Sequence, residues 1–245
     1  MRIAIAGGTG TLGSHVTTEL RSRGHEVRVL SRRSPDHPVD LTTGEGLEAA
    51  LAGCVVVDAT NASRNASAVL VEGSRRLLAA EAAAGVGHHV CASIVGCDQV
   101  PLGYFKVKAD QERVVAQGPV PWTTVRITQF HELVAATLAP AGRWRLLPVP
   151  NARPRMVAVA EAAGGGRRHR RGGAAPGGVE VAGPEFADAR QLARTWRKTT
   201  GHRALLLPVP LPGRLGQALR NGVLAAGRPD VQGVTPFGAW LAARP

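Results

Sequence analysis

The chain has 245 residues, 44% of them hydrophobic, and a formal net charge of +12. That length suits one large α/β domain or a domain with a small appendage, and the apolar content excludes global disorder. No apolar run reaches membrane-spanning length, and the apolar part of "MRIAIAGG" is too short for a signal peptide, so the expectation is a cytoplasmic protein without a membrane partner. Nucleic acid is not an expected partner either. Arg167, Arg168, Arg170 and Arg171 carry four positive charges within five residues, the remaining excess is scattered, and one tyrosine and four phenylalanines offer little for base stacking. The oligomeric state is not legible.

Three cysteines, Cys54, Cys91 and Cys97, form no C-x-x-C pair, and their odd number argues against a disulfide framework. Asn61-Ala62-Ser63 and Asn65-Ala66-Ser67 match the glycosylation sequon, which has no meaning in a cytoplasmic chain.

In chain order, Arg2–Ala6 reads as a short apolar strand. Thr11–Arg23 follows as a helix with Leu12, Val16 and Leu20 at spacing four, closed by Gly24. Glu26–Ser31 is a second strand, Glu45–Leu51 a short helix and Val55–Ala59 a third strand. An Ala-rich helix over Ala66–Ala84 ends at Gly85, and His88–Ala92 is a fourth strand. A loop with Gly96, Pro101 and Gly103 leads to a helix over about Tyr104–Ala116, and Trp122–Ile127 is a fifth strand. Strands alternating with helices predict βαβ units, here an α/β, doubly wound Rossmann-type parallel sheet that binds ligands along the carboxyl edge of its strands. Beyond about residue 140 the pattern weakens, with Pro148, Pro150 and Pro154 expected to break the chain. Asp188–Gly201 reads as a capped helix, Leu205–Pro212 as a strand or extended link, and Arg214–Leu224 as an amphipathic helix. The expected division is a Rossmann domain over 1–150 and a small C-terminal substrate-covering region over 151–245 that does not fold alone. Residues 163–178, "AGGGRRHRRGGAAPGG", are expected to form a disordered basic loop.

"AGGTGTLG" lies between the first strand and the first helix. Gly7, Gly10 and Gly13 satisfy G-x-x-G-x-x-G, and Gly8, Gly10 and Gly13 satisfy G-x-G-x-x-G. Residues without side chains let the backbone approach a pyrophosphate, and the helix N-terminus offers free N–H groups and the positive end of its dipole. The loop Gly7, Thr9, Gly10, Thr11, Leu12 and Gly13 is therefore a candidate dinucleotide cradle. About twenty residues on, where an acidic residue would hold the ribose of NAD, the chain has Ser31, Arg32 and Arg33. Two guanidiniums suit a 2′-phosphate, so NADP(H) is the preferred cofactor and NAD(H) the lesser one; the other reading is a solvated basic loop.

Tyr104 is the sole tyrosine, and Lys108, one of three lysines, follows four residues later on the same helical face. A phenol near pKa ~10 is a poor acid–base at neutral pH. An adjacent ammonium favours its phenolate, which suits it to pass a proton to or from a carbonyl oxygen while hydride moves. Ser93 ends the fourth strand and is read either as a hydroxyl holding that oxygen or as a turn serine. Arg126 is read as a substrate contact or as half of an ion pair. His131, after "TQF", is a candidate to line the substrate pocket with Phe130. His88 and His89 are read as structural, since no carboxylate or cysteine lies at ligand spacing, and no metal is expected.

"AGGTGTLG", "ASIVGCD", "YFKVK" and "PWTTVRITQF" together resemble the short-chain dehydrogenase/reductase superfamily, and more closely its atypical NmrA-like, NAD(P)H-binding branch. The likeness covers about residues 1–160 and resumes weakly at "VEVAGP" and "LPVPLPGRLGQALRNG". It implies Ser93, Tyr104 and Lys108 as the catalytic trio, with Lys108 also on the nicotinamide ribose. It also implies Asp40 and Leu41 near the adenine, and Ala59 and Thr60 beside the cofactor. The implied activity is NADP(H)-dependent reduction of a carbonyl or quinone-like small molecule. The alternative is a non-catalytic redox sensor, since many members of the branch have lost the tyrosine.

Residues 164–171, "GGGRRHRR", stand where such a fold wants an apolar helix. They have poor helix propensity and dense like charge. One coding for them, read one nucleotide later, spells Ala-Ala-Val-Ala-Asp-Ile-Ala, so a compensated frameshift is the expectation for this stretch.

Overall fold

The computed structural model describes residues 1–100, 103–140, 146–168 and 178–244. Pro101 of the expected loop and residues 169–177 of the basic stretch lie outside them. The chain divides into two compact units.

The first unit takes Met1–Ser93, Pro101–Arg126 and Ala174–Val179. Its strands are β1 (Arg2–Ala6), β2 (Glu26–Leu30), β3 (Val55–Asp58), β4 (His89–Ile94) and β5 (Trp122–Ile127), side by side in the order β2-β1-β3-β4-β5. β1 runs parallel to β2 and β3, and β3 parallel to β4. The reversal of order at β1 and β3 is that of a doubly wound Rossmann-type sheet. Alternation along β1 decides what each face packs against. Ile3 and Ile5 meet Leu12, Val16 and Leu20 of α1 (Thr11–Ser22). Ala4 and Ala6 belong to the opposite core, with Leu47 and Leu51 of α2 (Leu47–Leu51), Leu77 and Leu78 of α3 (Gly73–Ala83), and Val114 and Val115 of α4 (Gly103–Ala116). Small residues on that face leave room for two long helices. Each fully buried Leu or Val there contributes about 1.5–3 kcal/mol. The helix expected over 66–84 forms, with its first turn, Ser67–Glu72, wound as a π-helix.

The second unit takes Ile94–Val100, Ile127–Gly173 and Glu180–Pro245. Its core gathers Leu147, Val149, Met156, Leu192, Trp196 and Phe237. The expected capped helix is present as Ala189–Thr200, with the Asp188 carboxylate accepting from the Arg190 and Gln191 amides at 2.7 and 3.3 Å. Pro148 and Pro150 do not break the chain as expected, whereas Pro154 does lie in irregular backbone. Leu146–Pro150 is a strand, paired in parallel with Leu205–Val209. In a two-stranded sheet every strand is an edge, so a missing proline N–H costs no ladder bond on the open side. Helices at His131–Leu138 and Phe237–Ala242 add two elements that the sequence reading did not name. After Val159 the chain makes one turn, Glu161–Gly165, which breaks at Gly164 (φ 155°, ψ −3°). Arg167–Arg168 then pairs antiparallel with Val231–Gln232. No helix among the described residues is long and apolar enough to cross a membrane.

Candidate active site

The glycine loop is tight because backbone packs on backbone. Gly7 has φ 73°, and a Cβ there would lie 2.8 Å from the Ala59 carbonyl oxygen and 2.9 Å from Thr60 Cα. Only glycine fits both the conformation and the space. A Cβ on Gly13 would collide with the Gly7 carbonyl and lie 2.8 Å from Gly8 Cα. The Gly10 amide donates to the Gly7 carbonyl at 2.9 Å, and Gly10 caps α1 with no side-chain hydrogen bond and no acidic residue in the first turn. Thr9, Gly10 and Thr11 are exposed, while Leu12 also packs on the sheet. A helix start left uncapped by its own side chains is a fit for an anionic group such as a pyrophosphate. Ala59 and Thr60 stand against this loop, the Ala59 amide donating to Ala6 O at 3.0 Å.

At the end of β2, Ser31 Oγ accepts from the Arg33 amide at 3.3 Å. Arg32 and Arg33 are exposed, and neither has an ion-pair partner among the described residues. Asp40 is committed to its own turn: its Oδ1 accepts from the Thr42 hydroxyl at 2.6 Å and the Thr42 amide at 2.8 Å. Those bonds, with the Arg32 charge in support, hold its carboxyl below the usual range. Leu41 packs within 3.1 Å of a Cβ placed on Gly73.

Helix α4 brings Tyr104 and Lys108 to one face. Tyr104 donates its hydroxyl to Asn61 Oδ1 at 2.6 Å. Lys108 is buried, and its Nζ donates to the Ala92 carbonyl at 2.7 Å and to Gln111 Oε1 at 2.5 Å. The first of these bonds ties the ammonium to β4 at the residue before buried Ser93. Behind Lys108 lies a polar group that sequence reading missed. Gln111 Nε2 donates to Asp58 Oδ2 and Ser74 Oγ, both at 3.0 Å. Asp58 also accepts from Ser74 Oγ at 3.2 Å, from the Thr60 amide at 3.0 Å and from Thr60 Oγ1 at 2.5 Å. An isolated carboxylate closing the apolar run "VVVD" was the available signal for Asp58. Asn61 was read only as part of a sequon.

Of the two readings of Arg126, the structure shows the ion pair: its Nη2 is 2.6 Å and its Nε 3.0 and 3.2 Å from the Glu112 carboxylate. Phe130 and His131 lie in the second unit. His131 is buried, its Nε2 bonded to the Thr235 carbonyl at 3.0 Å, and its ring sits 5.5 Å from that of Phe237 and 5.4 Å from that of Trp240. Burial holds its pKa below the usual value.

The histidines at the start of β4 need one correction. Carboxylate and cysteine partners for His89 do exist, but they come from spatial neighbours rather than sequence spacing. Ligand atoms of Asp58, His89 and Cys91 lie within 4.8 Å of one another. Asp58 nevertheless spends its four lone-pair sites on the bonds above, which leaves two donors where a structural zinc takes four. His89 is held instead by Glu81, with Nδ1 at 2.8 and 3.0 Å from the two carboxylate oxygens, both residues fully buried. His88 Nε2 pairs with Thr123 Oγ1 at 2.9 Å.

Residues 7–138 match the model of a family described as NAD(P)H-binding. Among curated relatives, the chain is 28% identical over 151 residues to the photosystem II assembly factor Ycf39 of Trieres chinensis, covering 54% of this chain and 47% of that protein. It is 30% identical over 168 residues to a 3-beta-hydroxysteroid dehydrogenase of Mycolicibacterium neoaurum, covering 59% and 42%. The chain thus spans less than half the length of these relatives. The NADPH-dependent quinone oxidoreductase QOR2 from Escherichia coli, solved with NADPH, superposes with a TM-score of 0.80 at 18% identity over 98% of both chains. A nucleoside-diphosphate-sugar epimerase from Staphylococcus aureus superposes with a TM-score of 0.78 at 18% identity, covering 99% of this chain and 100% of that one. The two solved proteins share the fold of this chain, and the family model matched over residues 7–138 places it: it belongs to the NAD(P)H-binding family.

Proposed function

We propose that this protein is an NADP(H)-dependent oxidoreductase that reduces a carbonyl or quinone-like small molecule. The observation that carries the reading is the pairing on α4 of Tyr104, whose hydroxyl is already in a hydrogen bond at 2.6 Å, with Lys108, whose ammonium is buried and fixed. The likeness to a quinone oxidoreductase solved with NADPH supports the substrate class. The cofactor, when bound, supplies the hydride.

The chain's own residues do the rest. The N–H groups at the start of α1 bind the pyrophosphate, and the glycines let it approach. Arg32 and Arg33 take the 2′-phosphate in forked, charge-assisted bonds, and Asp40, Leu41, Ala59 and Thr60 flank the cofactor. Lys108 has three donors and spends two on Ala92 and Gln111. The third has no partner among the described residues and is available to a ribose hydroxyl. Tyr104 delivers the proton to the developing oxyanion, and Ser93 holds that oxygen. A second reading, a cofactor-sensing protein without turnover, is favoured by the likeness to a photosystem II assembly factor. NADPH consumption against a panel of carbonyls and quinones separates the two: protein-dependent oxidation supports the enzyme, and tight NADPH binding with none supports the sensor.

A further inference from the structure

We infer that Gln111 is a positioning residue, which fixes the Lys108 ammonium and links it to the buried Asp58 carboxylate without neutralising it. The inference rests on the role proposed for Lys108. Lys108 is 3% exposed, Gln111 0%, Asp58 1% and Ser74 1%. Lys108 and Gln111 are three apart on α4 and share a face. Every polar atom of the Gln111 amide is engaged: Oε1 accepts from Lys108, and the two Nε2 hydrogens go to Asp58 and Ser74. The amide cannot be turned over. Reversal would set its oxygen against the Asp58 carboxylate and its NH2 against the ammonium, two repulsive contacts in place of two attractive ones. The ammonium is thereby held from three sides of the fold, by α4 directly, by β4 through Ala92, and by β3 and α3 through Asp58 and Ser74.

The choice of an amide has a chemical consequence. A carboxylate at 111 would pair with the ammonium and cancel much of the field that favours a Tyr104 phenolate. It would also lie about 3 Å from Asp58, two like charges away from water. An apolar residue would leave the ammonium and the carboxylate each one hydrogen bond short in the core. Glutamine holds the cation in place and leaves its charge and one donor for the site.

The test uses the full chain, NADPH and menadione. The chain has three lysines, of which Lys106 and Lys198 are exposed. Side-chain 15N spectra of the lysine-labelled protein should show one slowly exchanging ammonium signal, absent in Lys108→Met. In Gln111→Leu that signal should vanish or broaden, and NADPH affinity and menadione reduction should each fall about tenfold or more, the scale of losing a hydrogen bond to a charged group. Gln111→Glu should keep the ammonium signal but lose turnover with NADPH affinity changed less, a split that a merely structural residue would not give. A Gln111→Leu protein with the signal and NADPH affinity intact overturns the inference. If Gln111→Leu does not fold, Gln111→Glu decides alone, and unmodified turnover there overturns it. If the unmodified protein reduces nothing, the proposed enzyme fails, while the ammonium signal and NADPH affinity still judge the role of Gln111.

Discussion

Glu81 on α3 and His89 on β4 form the most deeply buried ion pair described, each 0% exposed. Burial works against both charges: it holds the Glu81 carboxyl above its ordinary range despite the His89 contact, while for His89 the Glu81 carboxylate and the nearby Asp58 charge outweigh it and hold the pKa above its ordinary value. Glu81→Leu removes the only partner of Nδ1 and leaves a ring whose Nε2 has no partner among the described residues either. Breaking a buried pair in this way costs about 3–5 kcal/mol. For a domain of this size that corresponds to a fall in Tm of roughly 6–20 °C. Glu81→Leu combined with His89→Leu removes both polar groups and should recover most of the loss. The pH dependence has a definite sign. With the folded-state pKa of His89 raised, its contribution is complete below the unfolded value of about 6.5 and is lost as pH rises through the raised folded value. Thermal unfolding followed by circular dichroism from about pH 6 upward should therefore show the unmodified protein losing its advantage over the double variant as pH increases. A Glu81→Leu protein as stable as the unmodified one, a double variant no better than the single, or an advantage that grows with pH would refute this reasoning.

Replacing Arg32 and Arg33 together with Ala should cut the preference for NADPH over NADH by about tenfold or more, since two charge-assisted contacts to the 2′-phosphate disappear; equal affinities in the unmodified protein contradict it. Gly13→Ala should abolish NADPH binding and lower Tm, because its Cβ runs into the Gly7 backbone, whereas Gly10→Ala, whose Cβ would meet only Gly7 O at 3.2 Å, should be the milder change in Tm. For residues 164–171 the gene sequence is the measurement. The frameshift expectation requires codons that spell an apolar helix one nucleotide later, and an Arg168 codon ending in any base but A ends it.

Local signals made the first unit legible. Strand β1, the glycine loop and α1 are contiguous, and each carries its own pattern: alternation, a backbone-limited turn, then spacing four. The Tyr104–Lys108 pair is legible for the same reason, since both residues sit on one helix. The group behind Lys108 is not, because Asp58, Ser74 and Gln111 come from β3, α3 and α4, and nothing in sequence spacing says they meet. The Glu81–His89 pair fails to show for the same cause. In the second unit, the prolines at 148 and 150 carry a strong breaker signal, but an edge strand tolerates them. The pairing of Leu146–Pro150 with Leu205–Val209 spans more than fifty residues, beyond any local pattern.

In the proposed reaction Tyr104 gives the proton while the rest of the site holds the cofactor. Tyr104→Phe deletes one oxygen, so NADPH affinity, read by fluorescence titration, and NADPH-dependent reduction of the best carbonyl or quinone test it side by side. Affinity should stay within about twofold of the unmodified protein, and reduction should slow by about 10²–10⁴-fold. Near-normal reduction by Tyr104→Phe would contradict it, because the proton would then come from another group.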